Sequence, residues 1–407
     1  MSKTCMNGAP RFLWIGPYTS PRTFEMLVSK GYRDAAAHHC QWNFLSGFRD
    51  SGLSIDTIST LLSVMDTRSN DRSTCESFLR NGVDIRADLS TLPIGRRYLD
   101  QVALKNVLFE WVESSGREQK SVVFVYSLQS KLLHVVKALK VKYPHVKVVV
   151  LVPDLPAFMD PRRNYLKKML KKFDALLIRH YLQFVDHFVL FTRKMADALK
   201  LGGKSWSVIE GCAPSVSIVD VKTQIKNDEI FRLAYCGGIF KRYGVCRFLR
   251  AIEEIKINNI EFVFSGHGDA VDELKQAAIR DRRIVYRGFL ESNADVLDLQ
   301  RSSSALINLR QPDEVSSDYC FPSKLFEYLL VGIPVLSWRM GGIPEEYFDF
   351  LIEINGTDPK DIASSIEYVY GLSKESRSEI GEKGRTFVAT HRSPTAQVQR
   401  LLSCLQL

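Results

Sequence analysis

Lys324 and Glu327 stand three residues apart in the run Asp318-Tyr319-Cys320-Phe321-Pro322-Ser323-Lys324-Leu325-Phe326-Glu327-Tyr328-Leu329. Pro322 suits the first turn of a helix, where its missing N–H costs nothing. Leu325, Tyr328 and Leu329 recur at helical spacing, Gly332 can end the helix in a left-handed conformation, and Pro334 stops its continuation. An apolar strand, Val335 to Ser337, follows. This spacing predicts a loop, a helix N-terminus and a buried strand, with Lys324 and Glu327 on one helix face. Amides at such a terminus bind phosphate, Lys324 adds positive charge, and Glu327 accepts hydrogen bonds from hydroxyls. The chemistry fits a grip on a nucleoside diphosphate through Ser323, Lys324 and Glu327. An exposed ion pair on an ordinary α/β helix fits the same residues.

Two glycine turns carry related chemistry. Gly237-Gly238 follow the strand Arg232–Cys236, and Lys241-Arg242 precede Gly244, which opens a helix. Glycines let backbone amides approach an anion, and fixed cations neutralise a departing diphosphate. Lys241 or Arg242 fills that role, with a basic surface turn as the plain alternative. Gly266-His267-Gly268 ends a second strand, where His267 is either a ligand or a turn residue. Earlier, the strand through Val150 to Val152 delivers Asp154 to its carboxyl end, to bind hydroxyls or to cap a helix. His38-His39 and Gln41-Trp42-Asn43 are acceptor-side candidates or ordinary core and loop residues. No DxD, HExxH, Walker lysine loop or GxSxG is present, against metal-held diphosphate, metalloprotease, P-loop and serine hydrolase chemistry.

The stretch 318–337, together with Gly341-Gly342-Ile343-Pro344-Glu345-Glu346, resembles the nucleotide-sugar site of GT-B glycosyltransferases of the family 4 type. The likeness is strongest to enzymes of capsular and exopolysaccharide biosynthesis. That family places two glutamates eight residues apart. Glu327 matches the second, which contacts the donor ribose, and Tyr319 takes the place of the first, with Asp318 beside it as the candidate acid. The family's histidine before Asp154 is replaced by Pro153, and Gly238 and Tyr243 take the places of its arginine and lysine in the first glycine turn. The resemblance implies Asp154, Asp318 and Glu327 as catalytic candidates. Gly237, Gly238, Lys241, Arg242, Gly266, His267, Ser323 and Lys324 are then donor-binding, with Glu327. It further implies retention of anomeric configuration, no metal or other cofactor, and a UDP- or GDP-linked sugar as donor. The likeness covers residues 231–354 well and the first half of the chain loosely.

Around these motifs, strands alternate with helices. Apolar strands are expected at 11–15, 121–126, 147–152 and 187–191, then at 232–236, 261–265, 284–287, 304–308 and 334–337. Helices fit from Arg22, and at 99–113, 131–142, 245–255, 270–279, 293–301, 324–330 and 394–405. Such alternation predicts parallel sheets covered on both faces. The expected fold is α/β, GT-B, with two doubly wound Rossmann-like domains facing a central cleft. The domains are expected at 1–210 for the acceptor and 211–390 for the nucleotide sugar, with 391–407 a helix returning to the first.

The chain has 407 residues, of which 45% are hydrophobic, enough for sizeable cores. No apolar run approaches the ~18 residues that span a bilayer, and Met1 to Arg11 lacks a signal-peptide core. Eight cysteines without a CxxC pair fit reduced thiols in a cytosol. Much of the +9 net charge gathers in 162–179, where Arg162, Arg163, Lys167, Lys168, Lys171, Lys172 and Arg179 alternate with apolar residues. As a helix this segment suits an anionic membrane surface, or it packs its apolar side on the domain and leaves a solvated basic face. No nucleic-acid motif accompanies the charge. The expectation is a cytoplasmic glycosyltransferase, peripheral on the inner face of the plasma membrane, with a glycan or lipid-linked glycan as acceptor. A nucleotide-sugar epimerase and a degenerate GT-B scaffold are the alternatives.

Overall fold

The computed structural model describes residues 9–18, 24, 35–60, 84–85, 96–114, 119–156, 165–215, 230–290, 292–312 and 315–407. The helix expected from Arg22, and Arg162 and Arg163, lie outside the described residues. Two compact units divide the chain, Met1–Cys212 with Pro394–Leu407, and Ala213–Ser393.

In the first unit the elements run β1 (Arg11–Gly16), α1 (Ala35–Asp50), β2 (Ile55–Ser59), β3 (Asp84–Ile85), α2 (Arg96–Glu113), β4 (Ser121–Tyr126) and α3 (Ser130–Lys142). They continue through β5 (Lys147–Val152), α4 (Tyr165–Tyr181), β6 (His187–Leu190), α5 (Met195–Ala198) and β7 (Ser205–Val208). The sheet has seven strands in the order β3-β2-β1-β4-β5-β6-β7, and every pairing is parallel. Strands buried on both faces need continuous apolar runs rather than alternation. β4 and β5 supply them: Val122 to Val125 and Val148 to Val152 are all buried. α1, which the sequence reading did not identify as a helix, meets the chain's last helix at Gly47. A Cβ there would come within 2.2 Å of the Pro394 carbonyl oxygen, so glycine permits the contact.

The second unit runs β8 (Phe231–Cys236), α6 (Val245–Glu254), β9 (Ile260–Ser265), α7 (Val271–Arg280), β10 (Ile284–Tyr286), α8 (Asn293–Arg301), β11 (Ala305–Ile307) and α9 (Lys324–Val331). β12 (Val335–Ser337), β13 (Ile352–Glu353), α10 (Pro359–Gly371) and α11 (Lys374–His391) complete it, and α12 (Pro394–Cys404) then belongs to the first unit. Its sheet is parallel, in the order β10-β9-β8-β11-β12-β13. α6 turns Val245, Phe248, Leu249 and Ile252 to the core, the spacing of one helix face. α10 begins with Asp358 and Asp361 in a capping box and Pro359 in the first turn.

Chain order around each sheet reverses once, between β1 and β4 in the first unit and between β8 and β11 in the second. At such a reversal neighbouring connections leave in opposite directions and open a crevice at the strands' carboxyl ends. The loops that carry Gly237 and Arg310 therefore border the second unit's crevice.

Two imidazoles in the first unit are held neutral. His187 lies between the Ser205 and Ser207 hydroxyls at 2.8 and 2.9 Å, and burial, with repulsion from Lys147, lowers its pKa to about 4. His38 is lowered to about 4 by burial, with His39 adding to it. Between about pH 6.5 and 4 the unfolded chain binds protons at these positions that the folded chain refuses. Stability of the first unit therefore falls as pH drops through that window. Urea unfolding at pH 7 and pH 5 is expected to show the lower midpoint at pH 5, with a smaller difference in His187→Gln. An equal difference in the variant would contradict the role of His187.

Candidate active site

The carboxyl end of β8 is the centre of the second unit's site. The Lys324 ammonium donates to the Cys236 carbonyl at 2.6 Å. The Tyr328 hydroxyl donates to the same oxygen at 2.9 Å, and accepts from the Cys236 amide at 2.9 Å. Both side chains come from α9, one turn apart, so the helix is fastened to the strand end by two polar groups. Lys324 as a residue is exposed, yet its ammonium end is enclosed beside Gly237, whose Cβ, if present, would lie 2.8 Å from Nζ. Enclosure lowers the pKa of Lys324, and the nearby Glu327 partly restores it. A partly enclosed ammonium with a neutral carbonyl as its hydrogen-bond partner gains from an arriving anion.

Lys324 and Glu327 do not form the exposed ion pair that the sequence also allowed. Lys324 turns to the sheet, while Glu327 is exposed and its carboxylate has no hydrogen bond or ion pair among the described residues. α9 starts at Lys324, where the sequence reading placed it, with Ser323 as its helical-conformation cap residue. Leu325 and Phe326 amides bond to the Pro322 and Ser323 carbonyls at 2.8 and 3.2 Å, so these two are used within the turn. Gly332 closes the helix at φ 79°, the left-handed conformation its sequence position required.

The two glycine turns lock together. Gly266 has φ 144°, and a Cβ there would fall 1.7 Å from the Gly237 carbonyl oxygen, so no side chain is tolerated. The Gly237 amide donates to Ser265 at 2.8 Å, and the Ile239 amide to His267 at 2.8 Å. Tyr235 donates to Gly238 at 2.8 Å. His267 is exposed, with its ring 6.3 Å from Phe240 and 5.2 Å from Phe289.

The structure separates Lys241 from Arg242. Lys241 is drawn to Glu273 in an ion pair that raises its pKa. Arg242 lies over Phe240 and Tyr243, 5.1 and 4.9 Å from the ring centres. Arg310, which sequence reasoning missed, lies 5.1 Å from the centre of the same Tyr243 ring. It follows β11 closely, and its signal was a basic residue just after a buried strand at the reversal of strand order. Asp318 ends a short 3-10 turn, Val315–Asp318, and is partly exposed. The Ser317 hydroxyl donates to the Gln311 carbonyl, and the Gly342 amide donates to Ser317 at 3.0 Å, which fastens this turn to the Gly341-Gly342 loop. Glu345 and Glu346 are occupied by Arg339 and Arg392.

In the first unit Asp154 is exposed just beyond β5, and its charge reaches the half-buried Cys40, whose thiol desolvation pushes up to about 12. Gln41 and Asn43 have structural partners. Gln41 accepts from Trp14 at 3.2 Å and donates to the Pro17 and Ala37 carbonyls at 3.1 Å, while Asn43 donates to Cys212 at 3.1 Å. His38 is buried against Phe24, with no hydrogen bond to either ring nitrogen among the described residues. The six described cysteines are free thiols.

Residues 230–371 match the family model of the group 1 glycosyl transferases. The matched residues lie within the second unit, which therefore carries a glycosyltransferase domain. No curated protein matches the chain by sequence. Among solved structures, it is similar to Anabaena HepE in complex with UDP, at 12% identity and TM-score 0.62, covering 97% of this chain and 99% of that one. Sucrose-phosphate synthase from Thermosynechococcus elongatus gives 12% identity and TM-score 0.60 over 97% and 98% of the two chains. An E. coli trehalose-6-phosphate structure bound with UDP-2-fluoro glucose gives 9% and 0.59 over 97% and 99%. The fold is GT-B, built from two α/β units with parallel sheets.

Removing the Tyr328 hydroxyl leaves the buried Cys236 amide without that partner and its carbonyl with Lys324 alone. Tyr328→Phe is expected to cost about 1–3 kcal/mol in urea unfolding. An unchanged unfolding midpoint would show that the strand end does not depend on this bond.

Proposed function

We propose that this glycosyltransferase moves a sugar from a UDP- or GDP-linked donor to a hydroxyl of a glycan or lipid-linked glycan in surface polysaccharide biosynthesis. The supporting observation is the pair on α9. The Glu327 carboxylate is exposed and unengaged, one turn from an ammonium seated beside Gly237 and short of counter-charge. A nucleoside diphosphate satisfies both, with ribose hydroxyls donating to Glu327 and diphosphate oxygens accepting from Lys324. Arg242 and Arg310 add charge around Tyr243, and the turns Gly237-Gly238 and Gly266-His267 give the diphosphate close access to backbone. Ser323 lies at the same helix start. Asp318 is the acid assigned to the donor sugar, and Asp154 to the sugar or acceptor hydroxyls in the first unit.

The proposed reaction retains anomeric configuration. The bond from the anomeric carbon to the diphosphate oxygen breaks, the acceptor oxygen bonds to that carbon on the same face, and its proton passes to the departing diphosphate. Cations hold the negative charge that develops on the leaving group, so the chemistry needs neither a metal nor a strong protein base. HepE was solved with UDP and the E. coli protein with UDP-2-fluoro glucose, which favours testing uridine donors first.

Glu327→Ala is expected to lower nucleotide release from the accepted donor about ten- to a hundredfold, with the unfolding midpoint unchanged. Unchanged turnover would refute the role assigned to Glu327.

A further inference from the structure

α4 carries three large apolar side chains outward. Met169, Phe173 and Leu176 are 58%, 62% and 64% exposed. Their spacing of four and then three residues places them in one stripe along the helix. The helix is fixed to its unit by other residues. Ile178 and Tyr181 are buried, and Tyr181 pairs with His134 at 3.1 Å. The sequence left open that the apolar side packs onto the domain; the exposure of these three side chains goes against that.

Charge settles which partner suits the stripe. Lys172 and Arg179, both exposed, lie two turns apart along one edge of it. Residues 165–181 contain Lys167, Lys168, Lys171, Lys172 and Arg179 against a single acid, Asp174. That carboxylate accepts a hydrogen bond from the Ser130 hydroxyl, away from the basic edge. A large apolar stripe bordered by cations complements a surface with negative headgroups over hydrocarbon. Among the described residues no helix is long and apolar enough to cross a membrane, so such a helix lies along the interface.

We infer that α4 docks the protein on an anionic lipid bilayer, with Met169, Phe173 and Leu176 entering the acyl boundary and Lys172 and Arg179 at the phosphates. The inference stands apart from the donor-site reading. It also gives the enzyme a means to work on acceptors held at a lipid surface.

The test is flotation of the full chain with vesicles. Phosphatidylcholine alone is compared with two parts phosphatidylcholine to one part phosphatidylglycerol. Binding is expected on the anionic vesicles and to weaken as salt rises. Lys172→Gln with Arg179→Gln is expected to weaken partitioning about tenfold or more. The triple replacement of Met169, Phe173 and Leu176 by Ser should abolish it at any salt, while unfolding midpoints stay unchanged because all five side chains are exposed. Failure of the unaltered chain to bind anionic vesicles would overturn the inference, as would full binding by the triple variant. A dimer in size-exclusion that the triple variant converts to a monomer would assign the stripe to a second copy and overturn it equally.

Discussion

A single backbone carbonyl, that of Cys236, organises the second unit's site. It ends β8 next to the reversal of strand order, and it accepts from both Lys324 and Tyr328. Because those donors sit one turn apart on α9, the helix cannot rotate without losing one of them. That orientation sends Leu325, Phe326 and Leu329 into the core and leaves Glu327 on the outer face. The close approach of Gly237 to Gly266 adds a second constraint, since any side chain at 266 would strike backbone. The site is thus built from a strand end, a helix and a glycine contact that fix one another.

Electrostatics then distinguishes cations that look equivalent in sequence. Lys241 is neutralised by Glu273 and serves the packing of its turn on α7. Lys324 is enclosed with a carbonyl, so its charge is poorly compensated and open to an anion. Arg242 and Arg310 lie over aromatic rings, where a guanidinium presents a planar set of donors. Glu345 and Glu346, though they follow a loop near the site, are committed to Arg339 and Arg392.

Much of this was legible in the sequence where local rules decide. Continuous valine runs marked β4 and β5, and Gly332 with Pro334 marked the end of α9 to within a residue. α1 was missed because its histidines, glutamine and Gly47 blur the apolar period. α10 was missed although Asp358-Pro359 announced it. Non-local pairings were beyond reach: Lys241 meets Glu273 across 32 residues, which no spacing rule foretells. The stripe on α4 shows the same limit from another side. Periodicity identifies an apolar face but does not say whether protein covers it.

The central claim is that the second unit binds a nucleoside diphosphate through Lys324 and Glu327. Calorimetry of purified protein with UDP and with GDP, in EDTA, tests it most directly. The account predicts saturable binding of one of the two without added metal, lost on replacing Lys324 with Met. Absence of binding by both nucleotides, or binding indifferent to Lys324, would contradict it.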